Sequence, residues 1–406
     1  MTLTLAGRRQ ELARLRHRLA DAAFGKGSLV LVAGEAGMGK TTLAEAAAAE
    51  AAEFATTFGR CPGPGETPPF GPWAEALHRA PGVCSEKAVA ELLAKAGRPV
   101  LIILEDMQWA DPASCGLLAR VAERIATLPA VLLVTYDSDE LHRKHPLFEH
   151  LSQLRQRAAE CLQLRPFGPE ELAELAGRSG GSAARAAGLG GAVSPLLATE
   201  LLAEQNGIGP CATARELFAA RLALLDQESR ELLQAAAVSG PRFSRRLLSA
   251  MTGRPAAEVT ADLRPAADYR LVRPDGNGSY EFVHPTAREA ALEGLILPQR
   301  RRYHVQVADA LLCMSAGTPF LIGLHLSLGG DPRAADYLMV AGDSARLAGA
   351  LAQAEQLYEQ ALEWLPNPGP RRLCCLLKLC LTLRASGQSG RARICFEEAN
   401  LLKVKG

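Results

Sequence analysis

Gly34-Glu35-Ala36-Gly37-Met38-Gly39-Lys40-Thr41 follows the apolar run Ser28 to Ala33 and leads into a helix-forming stretch, Thr42 to Glu53. It is a full GxxxxGK[ST] signature in the strand–loop–helix setting that the signature requires. Glycines permit a tight loop whose backbone N–H groups face a phosphate; the Lys40 ammonium reaches the β and γ phosphates, and the Thr41 hydroxyl suits Mg2+. Lysine is scarce in this chain and arginine abundant, so the octamer is hard to reach by chance. Gly34, Gly37, Gly39, Lys40, Thr41 and Thr42 are therefore the candidate residues for binding a nucleotide phosphate.

About 65 residues after Lys40, Val100-Leu-Ile-Ile-Leu-Glu105-Asp106 is an apolar strand ending in two adjacent carboxylates. In phosphate-loop proteins one such acid holds Mg2+ through water and the other orients the attacking water. The following Met107-Gln-Trp-Ala-Asp111 sets a further acid and an indole at the mouth of the same site, Trp109 being equally readable as packing.

Further strand candidates are Phe54 to Arg60, Val131 to Tyr136 and Cys161 to Leu164, alternating with longer helical stretches. That alternation predicts an α/β domain, a parallel sheet with flanking helices, over residues 1–167. Cys61 to Pro72 holds five prolines and three glycines and reads as a surface loop. After Pro166 apolar residues recur at helical spacing to Leu225, broken by the Gly/Ala-rich Gly180 to Gly191, which predicts an all-α domain over 168–225.

From Asp226 three short helical patterns precede two β-like runs, Tyr269 to Arg273 and Ser279 to His284, around Pro274-Asp-Gly-Asn-Gly278. Helices followed by such a hairpin suggest a winged helix over 226–316. Residues 317–406 read as tetratricopeptide-like helical repeats, with pairs Ala335–Leu347/Ala350–Trp364 and Arg372–Ala385/Gly390–Leu402.

A chain of 406 residues calls for two to four domains. With 48% hydrophobic and 22% charged residues it is neither a disordered tail nor a fibre, and a net charge of +1 leaves no global basic field for nucleic acid or anionic membrane. No apolar run reaches membrane-spanning length, and the arginine-rich start, Met1 to Leu19, reads as an amphipathic helix rather than an export signal. The expected setting is cytoplasmic. Ten cysteines without CxxC spacing point to reduced thiols, and Cys374, Cys375 and Cys380 sit in an apolar helical run where thiols pack as small hydrophobes.

These residues taken in order resemble the signal-transducing STAND class of AAA-like ATPases, in particular the large ATP-binding LuxR-type regulators and relatives of the maltose-regulon activator. The likeness is carried by Gly7-Arg8 with Glu11, Gly34 to Thr41, Gly59-Arg60-Cys61, Pro72 to Leu77 and Leu104 to Asp111. It continues through Thr135-Tyr136, Leu164-Arg165-Pro166-Phe167, Phe282 with His284, and the helical repeat Leu326 to Pro366. The resemblance implies ATP/ADP and Mg2+ as ligands, Thr41 and Glu105 on the metal, and Asp106 orienting water. It also implies Arg8 near the adenine pocket, Pro166 packing on the base, and His284 sensing the ADP β-phosphate. ATP would favour self-association, and an effector, protein or small molecule, would bind the repeats.

The sequence departs from that pattern at three sites. Asp137 stands where an arginine usually follows Thr-Tyr, the usual Phe-Arg-His is Phe282-Val283-His284, and the usual Gly-Gly-Asn-Pro is Gly190-Gly-Ala-Val-Ser-Pro195. Such regulators commonly continue into a helix-turn-helix, whereas this chain stops at Leu401-Leu-Lys-Val-Lys-Gly406. DNA binding is not expected of this chain alone. Two readings stay open: a switch with weak ATPase activity, and a hydrolysis-deficient, nucleotide-stabilised adaptor that works through its repeats. A metabolic kinase is disfavoured because no acceptor-substrate site is visible.

Overall fold

The computed structural model describes residues 6–80, 83–141, 145–179, 192–202, 211, 213–276 and 278–405. The chain forms two compact units, Met1–Ala214 and Arg215–Gly406.

In the first unit, α1 (Arg9–Ala23) buries Leu12, Leu15, Leu19 and Ala22, a stripe at helical spacing that keeps its arginines outside. The chain continues as β1 (Ser28–Ala33), α2 (Lys40–Glu50), β2 (Ala55–Arg60), α3 (Gly71–Leu77), α4 (Glu86–Ala96), β3 (Val100–Glu105), α5 (Pro112–Arg124), β4 (Ala130–Tyr136), α6 (Pro146–Arg157), β5 (Glu160–Gln163) and α7 (Pro169–Ser179). The strands pair in parallel in the order β2-β3-β4-β1-β5. β1, β3 and β4 are buried along their whole length, as inner strands of a sheet covered on both faces must be. Val30, Val32, Leu101, Ile103, Val131 and Leu133 form one core with α1 and α2, while the alternate residues Leu29, Leu31, Ile102 and Leu132 are equally buried. The expected α/β sheet is thus present, with strand ends shifted by one residue at β2, β4 and β5. The loop expected over Cys61 to Pro72 gives way to α3 at Gly71, because Pro72 fits a first helical turn.

The expected boundary at 167/168 is not a break in packing. Phe167 and Val193 form a β-bridge, Gly7 N–H donates to Glu174 Oε2 at 3.4 Å, and Arg9 pairs with Glu174 at 2.8 Å. The helix Pro195–Leu202 belongs to the first unit as well. The Gly180 to Gly191 stretch lies outside the described residues.

In the second unit, helices Gln227–Ser239, Arg245–Thr252 and Ala256–Asp268 precede the expected hairpin, β7 (Val272–Pro274) and β8 (Ser279–Phe282). A third strand, β6 (Arg242–Ser244), completes the sheet β6-β8-β7. Three residues are too few to show an alternating pattern, which is why the sequence does not announce it. Glu281 on β8 holds Arg242 at 3.1 Å and Arg273 from either side, so these arginines are engaged within the three-stranded sheet.

The helices Leu297–Cys313, Pro319–Gly329, Ala334–Leu347, Leu351–Trp364, Pro370–Ala385 and Ser389–Lys405 each pack on the next in sequence. This stacking begins at Leu297, earlier than the expected 317, because Leu297–Cys313 packs both on the three-helix group and on Pro319–Gly329. Gly342 shows how closely two of these helices approach: a Cβ there would lie 2.6 Å from the Tyr358 ring. The Tyr358 hydroxyl donates to Asp343 at 2.7 Å, and Lys378 from the next helix reaches the other Asp343 oxygen.

None of the ten cysteines joins a disulfide, and of them Cys61, Cys84, Cys115, Cys375 and Cys380 are buried. Cys374 is exposed, contrary to expectation, because its helix buries only the face that carries Cys375, Leu376 and Leu379. Among the described residues no helix is long and apolar enough to cross a membrane.

Candidate nucleotide-binding site

The parallel registers bring three strand ends together. Ala33 of β1 lies beside Tyr136 of β4, Leu104 of β3 beside Val134, and Arg60 of β2 beside Glu105. Ligands of open parallel sheets bind beyond such carboxyl ends. The loop Gly34–Gly39 leaves β1 at this edge and runs into α2, whose first residue is Lys40. Gly37 and Gly39 have φ of +79° and +85°, values that a side chain resists and that turn the loop back on itself.

Lys40 is 8% exposed. Its ammonium donates to Gly34 O at 2.6 Å and Glu35 O at 3.0 Å, and it pairs with Asp137 Oδ2 at 3.3 Å. Thr41 is partly exposed and Thr42 exposed, at the start of the helix. Asp137, the residue just past β4, is 4% exposed. Its backbone N–H donates to Gln108 Oε1 at 2.9 Å, and its Oδ1 accepts from Asp139 N–H at 3.0 Å.

Glu105 is 1% exposed. Its Oε2 accepts both Nε (3.1 Å) and Nη2 (2.5 Å) of Arg60, whereas Oε1 is buried without a hydrogen-bond partner. Asp106 holds the left-handed backbone conformation at φ +56°, and its N–H donates to Thr135 Oγ1 at 3.1 Å. Burial first, and then the neighbouring Glu105, push its carboxyl up to about 6, against the pull of Lys40 and Arg60. A group poised there exchanges protons near neutrality.

Asp111 does not act at the mouth of this site. It is buried and caps α5, its Oδ1 accepting Ser114 N–H at 3.0 Å, and burial raises its carboxyl above the usual range. The Trp109 indole N–H donates to Glu140 instead of packing inward.

Arg8 is buried beside the loop. Its guanidinium donates to Met38 O at 3.1 Å and to Arg165 O, and lies 5.0 Å over the Phe167 ring. It therefore ties the phosphate loop to the segment after β5, where Pro166 is exposed. Burial pulls the Arg8 guanidinium below its ordinary value, Glu11 opposing. His284 lies in the second unit. Its Nδ1 accepts Thr286 N–H at 3.2 Å and so caps the helix Pro285–Glu293, and its ring stacks on Phe218.

Sequence reasoning missed several members of the site: Arg60 as the partner of Glu105, Gln108 and Thr135 as supports, and Asp137 as the partner of Lys40. It also missed the start of the helix Pro195–Leu202, where Leu196 N–H donates to Gly37 O at 3.1 Å. The Arg60 pairing had a signal, since in-register parallel strands put the end of β2 beside the end of β3. The other contacts join residues tens to well over a hundred positions apart and leave no local trace.

Residues 4–88 match the family described as the AAA ATPase domain. No curated protein sequence matches the chain. Among solved structures the chain is similar to a signal-transduction ATPase with numerous domains carrying a tetratricopeptide-repeat sensor from Pyrococcus horikoshii. That likeness has 17% identity and a TM-score of 0.48, covering 99% of this chain and 65% of that one. It is also similar to the ORC2 protein of Aeropyrum pernix, at 18% identity and TM-score 0.34, covering 77% of this chain and 96% of that one. A third likeness is to RuvB of Thermotoga maritima, at 18% identity and TM-score 0.32, covering 68% and 93%.

Proposed function

We propose that this chain is a cytoplasmic nucleotide-controlled switch of the STAND type, built like the ATPase, winged-helix and repeat portion of a LuxR-type transcription regulator. The observation that carries the reading is the meeting of a GxxxxGK[ST] loop, a buried Lys40 and the Glu105–Asp106 pair at one edge of a parallel sheet. Such an edge binds and positions a nucleoside phosphate. Gly34, Gly37 and Gly39 would present backbone N–H groups to the β-phosphate, with Lys40 and Thr41 beside it and Thr42 at the helix start. Arg8 and Pro166 would border the base.

The donor set suits Mg2+, because Glu105 Oε1 is buried with its lone pairs unspent and Thr41 offers a hydroxyl. Bound there, the ion would neutralise phosphate charge. Asp106, with its raised pKa, would orient and deprotonate water. ATP would favour a self-associating form and ADP a closed one, as different affinities for two states require. His284 would report the nucleotide to the winged-helix region, and the helical repeats would take the effector.

The test is isothermal titration with ATP and ADP on wild type and Lys40→Ala, each checked for folding by circular dichroism. Lys40→Ala should lose at least tenfold in ATP affinity, about 1.4 kcal/mol, and should lose ATP-dependent assembly in sedimentation. Unchanged ATP affinity would refute the assignment.

A second reading, a nucleotide-stabilised adaptor without turnover, is favoured by the Asp137 carboxylate on Lys40. Robust phosphate release by wild type excludes it; little release by wild type with a large gain in Asp137→Arg supports it.

A further inference from the structure

We infer that the phosphate loop selects a nucleoside diphosphate over the triphosphate, with the Asp137 carboxylate seated on Lys40 where a γ-phosphate would otherwise pair. This rests on the nucleotide-binding reading above and narrows it.

A lysine ammonium has three donors. In this structure all three have acceptors: Gly34 O, Glu35 O and Asp137 Oδ2. The Lys40 ammonium, the group by which such loops distinguish a third phosphate, is thus fully committed.

Nor is Asp137 free to swing away. Its other carboxylate oxygen accepts the Asp139 N–H, its own N–H is held by Gln108, and the side chain is buried with Lys40. Removing one partner from a buried ion pair is costly because the other charge is left uncompensated.

The two nucleotides make different demands on this pair. A β-phosphate is gripped chiefly by the loop's backbone N–H groups, so a diphosphate can bind with Lys40–Asp137 intact. A triphosphate adds negative charge on the sheet side, where it must share Lys40 with a carboxylate. The nearby acids do not relieve it, since Glu105 and Asp106 are anionic groups and Arg60 is already spent on Glu105. Like charges brought together at a buried edge repel more strongly than in water.

The experiment measures dissociation constants for the Mg2+ complexes of ADP and ATP by titration calorimetry on the full chain. Wild type should bind ADP at least tenfold tighter than ATP. Asp137→Asn, which keeps the acceptor for Asp139 N–H but removes the charge, should shrink that ratio at least fivefold. Asp137→Glu, which restores the charge, should retain the preference. Equal binding of the two nucleotides by wild type, tighter ATP, or an unchanged ratio in Asp137→Asn overturns the inference. The wild-type ratio decides the matter by itself if the asparagine variant fails to fold. Failure of folded wild type to bind either nucleotide overturns the nucleotide-binding reading and this inference with it, a result distinct from equal binding of both.

Discussion

The sheet edge of the first unit and the histidine pair within the stacked helices of the second treat their ionisable groups in opposite ways. At the sheet edge, ion pairs are drawn inward: buried Lys40 with Asp137, half-buried Arg60 with buried Glu105, and Asp106 held near both. In the helical stack, His304 and His325 meet across two helices with Nδ1 to Nδ1 at 2.9 Å, and both are buried. Burial drives the His304 ring down to about 3, with His325, Arg300 and Arg288 adding to it, and drives His325 down to about 4, with Arg288 adding. This pair is buried neutral. A site that keeps charge inside has something to bind with it; a buried pair held neutral, as His304 and His325 are, contributes packing.

The contrast can be broken first at its apolar base. Leu133 is fully buried in the middle strand β4, and Leu133→Ala should destabilise the first unit by about 3–5 kcal/mol through lost burial and a residual cavity. Hydrogen exchange read separately over the two units should show the loss in Met1–Ala214 and little change in Arg215–Gly406. Equal loss in both would mean that the units fold as one.

The second test is acid. Both histidines titrate lower in the folded chain than the ordinary 6.5, so the unfolded chain binds more protons below that pH. Stability of the stack is therefore full above about pH 6.5 and falls as the pH drops toward 4. By pH 5 each imidazole kept neutral forfeits about 2 kcal/mol. Urea midpoints of wild type and a His304→Phe/His325→Leu variant should diverge in slope between pH 7 and 5, the variant staying flatter. Parallel curves would count against the neutral pair.

Asp106 should show the opposite sign. Its folded value of about 6 exceeds the ordinary 3.8, so the carboxyl favours the folded state in acid and that advantage is lost as the pH rises from about 4 through 6. Asp106→Asn removes the charge and tolerates φ +56°, so it should raise the first unit's stability at pH 7 by about 3 kcal/mol, the gain vanishing below pH 4. The same variant should release no phosphate from ATP. A gain that persists in acid would point to packing instead of charge.

The smallest expected effect is Tyr358→Phe. It deletes the hydrogen bond to Asp343 while leaving Lys378 in place, and should cost the stack about 1 kcal/mol by thermal melting, with nucleotide affinity unchanged.

Much of the first unit could be read before folding because its signals are local. Glycines that must turn, a lysine beside them, and apolar runs ending in acids all lie within a few residues of one another, and the structure puts the strands within a residue of their expected positions. The helix pairs from Ala334 onward were legible for the same reason, through apolar spacing. What stayed hidden depends on register and long-range closure. Asp137 is conspicuous in sequence, yet only the β1–β4 pairing sets it against Lys40. Leu196 reaches Gly37 across a stretch rich in glycine and alanine that carries no periodic signal. β6 exists because β8 offers it an edge, and Asp111 turns from an acid expected at the mouth of the site into a helix cap because Ser114 lies one turn on.

Leu297–Cys313 has a practical meaning for anyone who would divide this chain. One side of that helix is covered by Gln227–Ser239 and Arg245–Thr252, the other by Pro319–Gly329. A fragment starting at residue 317 would uncover the flank of Pro319–Gly329, and a fragment ending at 316 would uncover the matching flank of Leu297–Cys313. Each piece would carry a greasy scar into solvent and tend to clump. The boundary between the two compact units lies instead at residues 214 and 215.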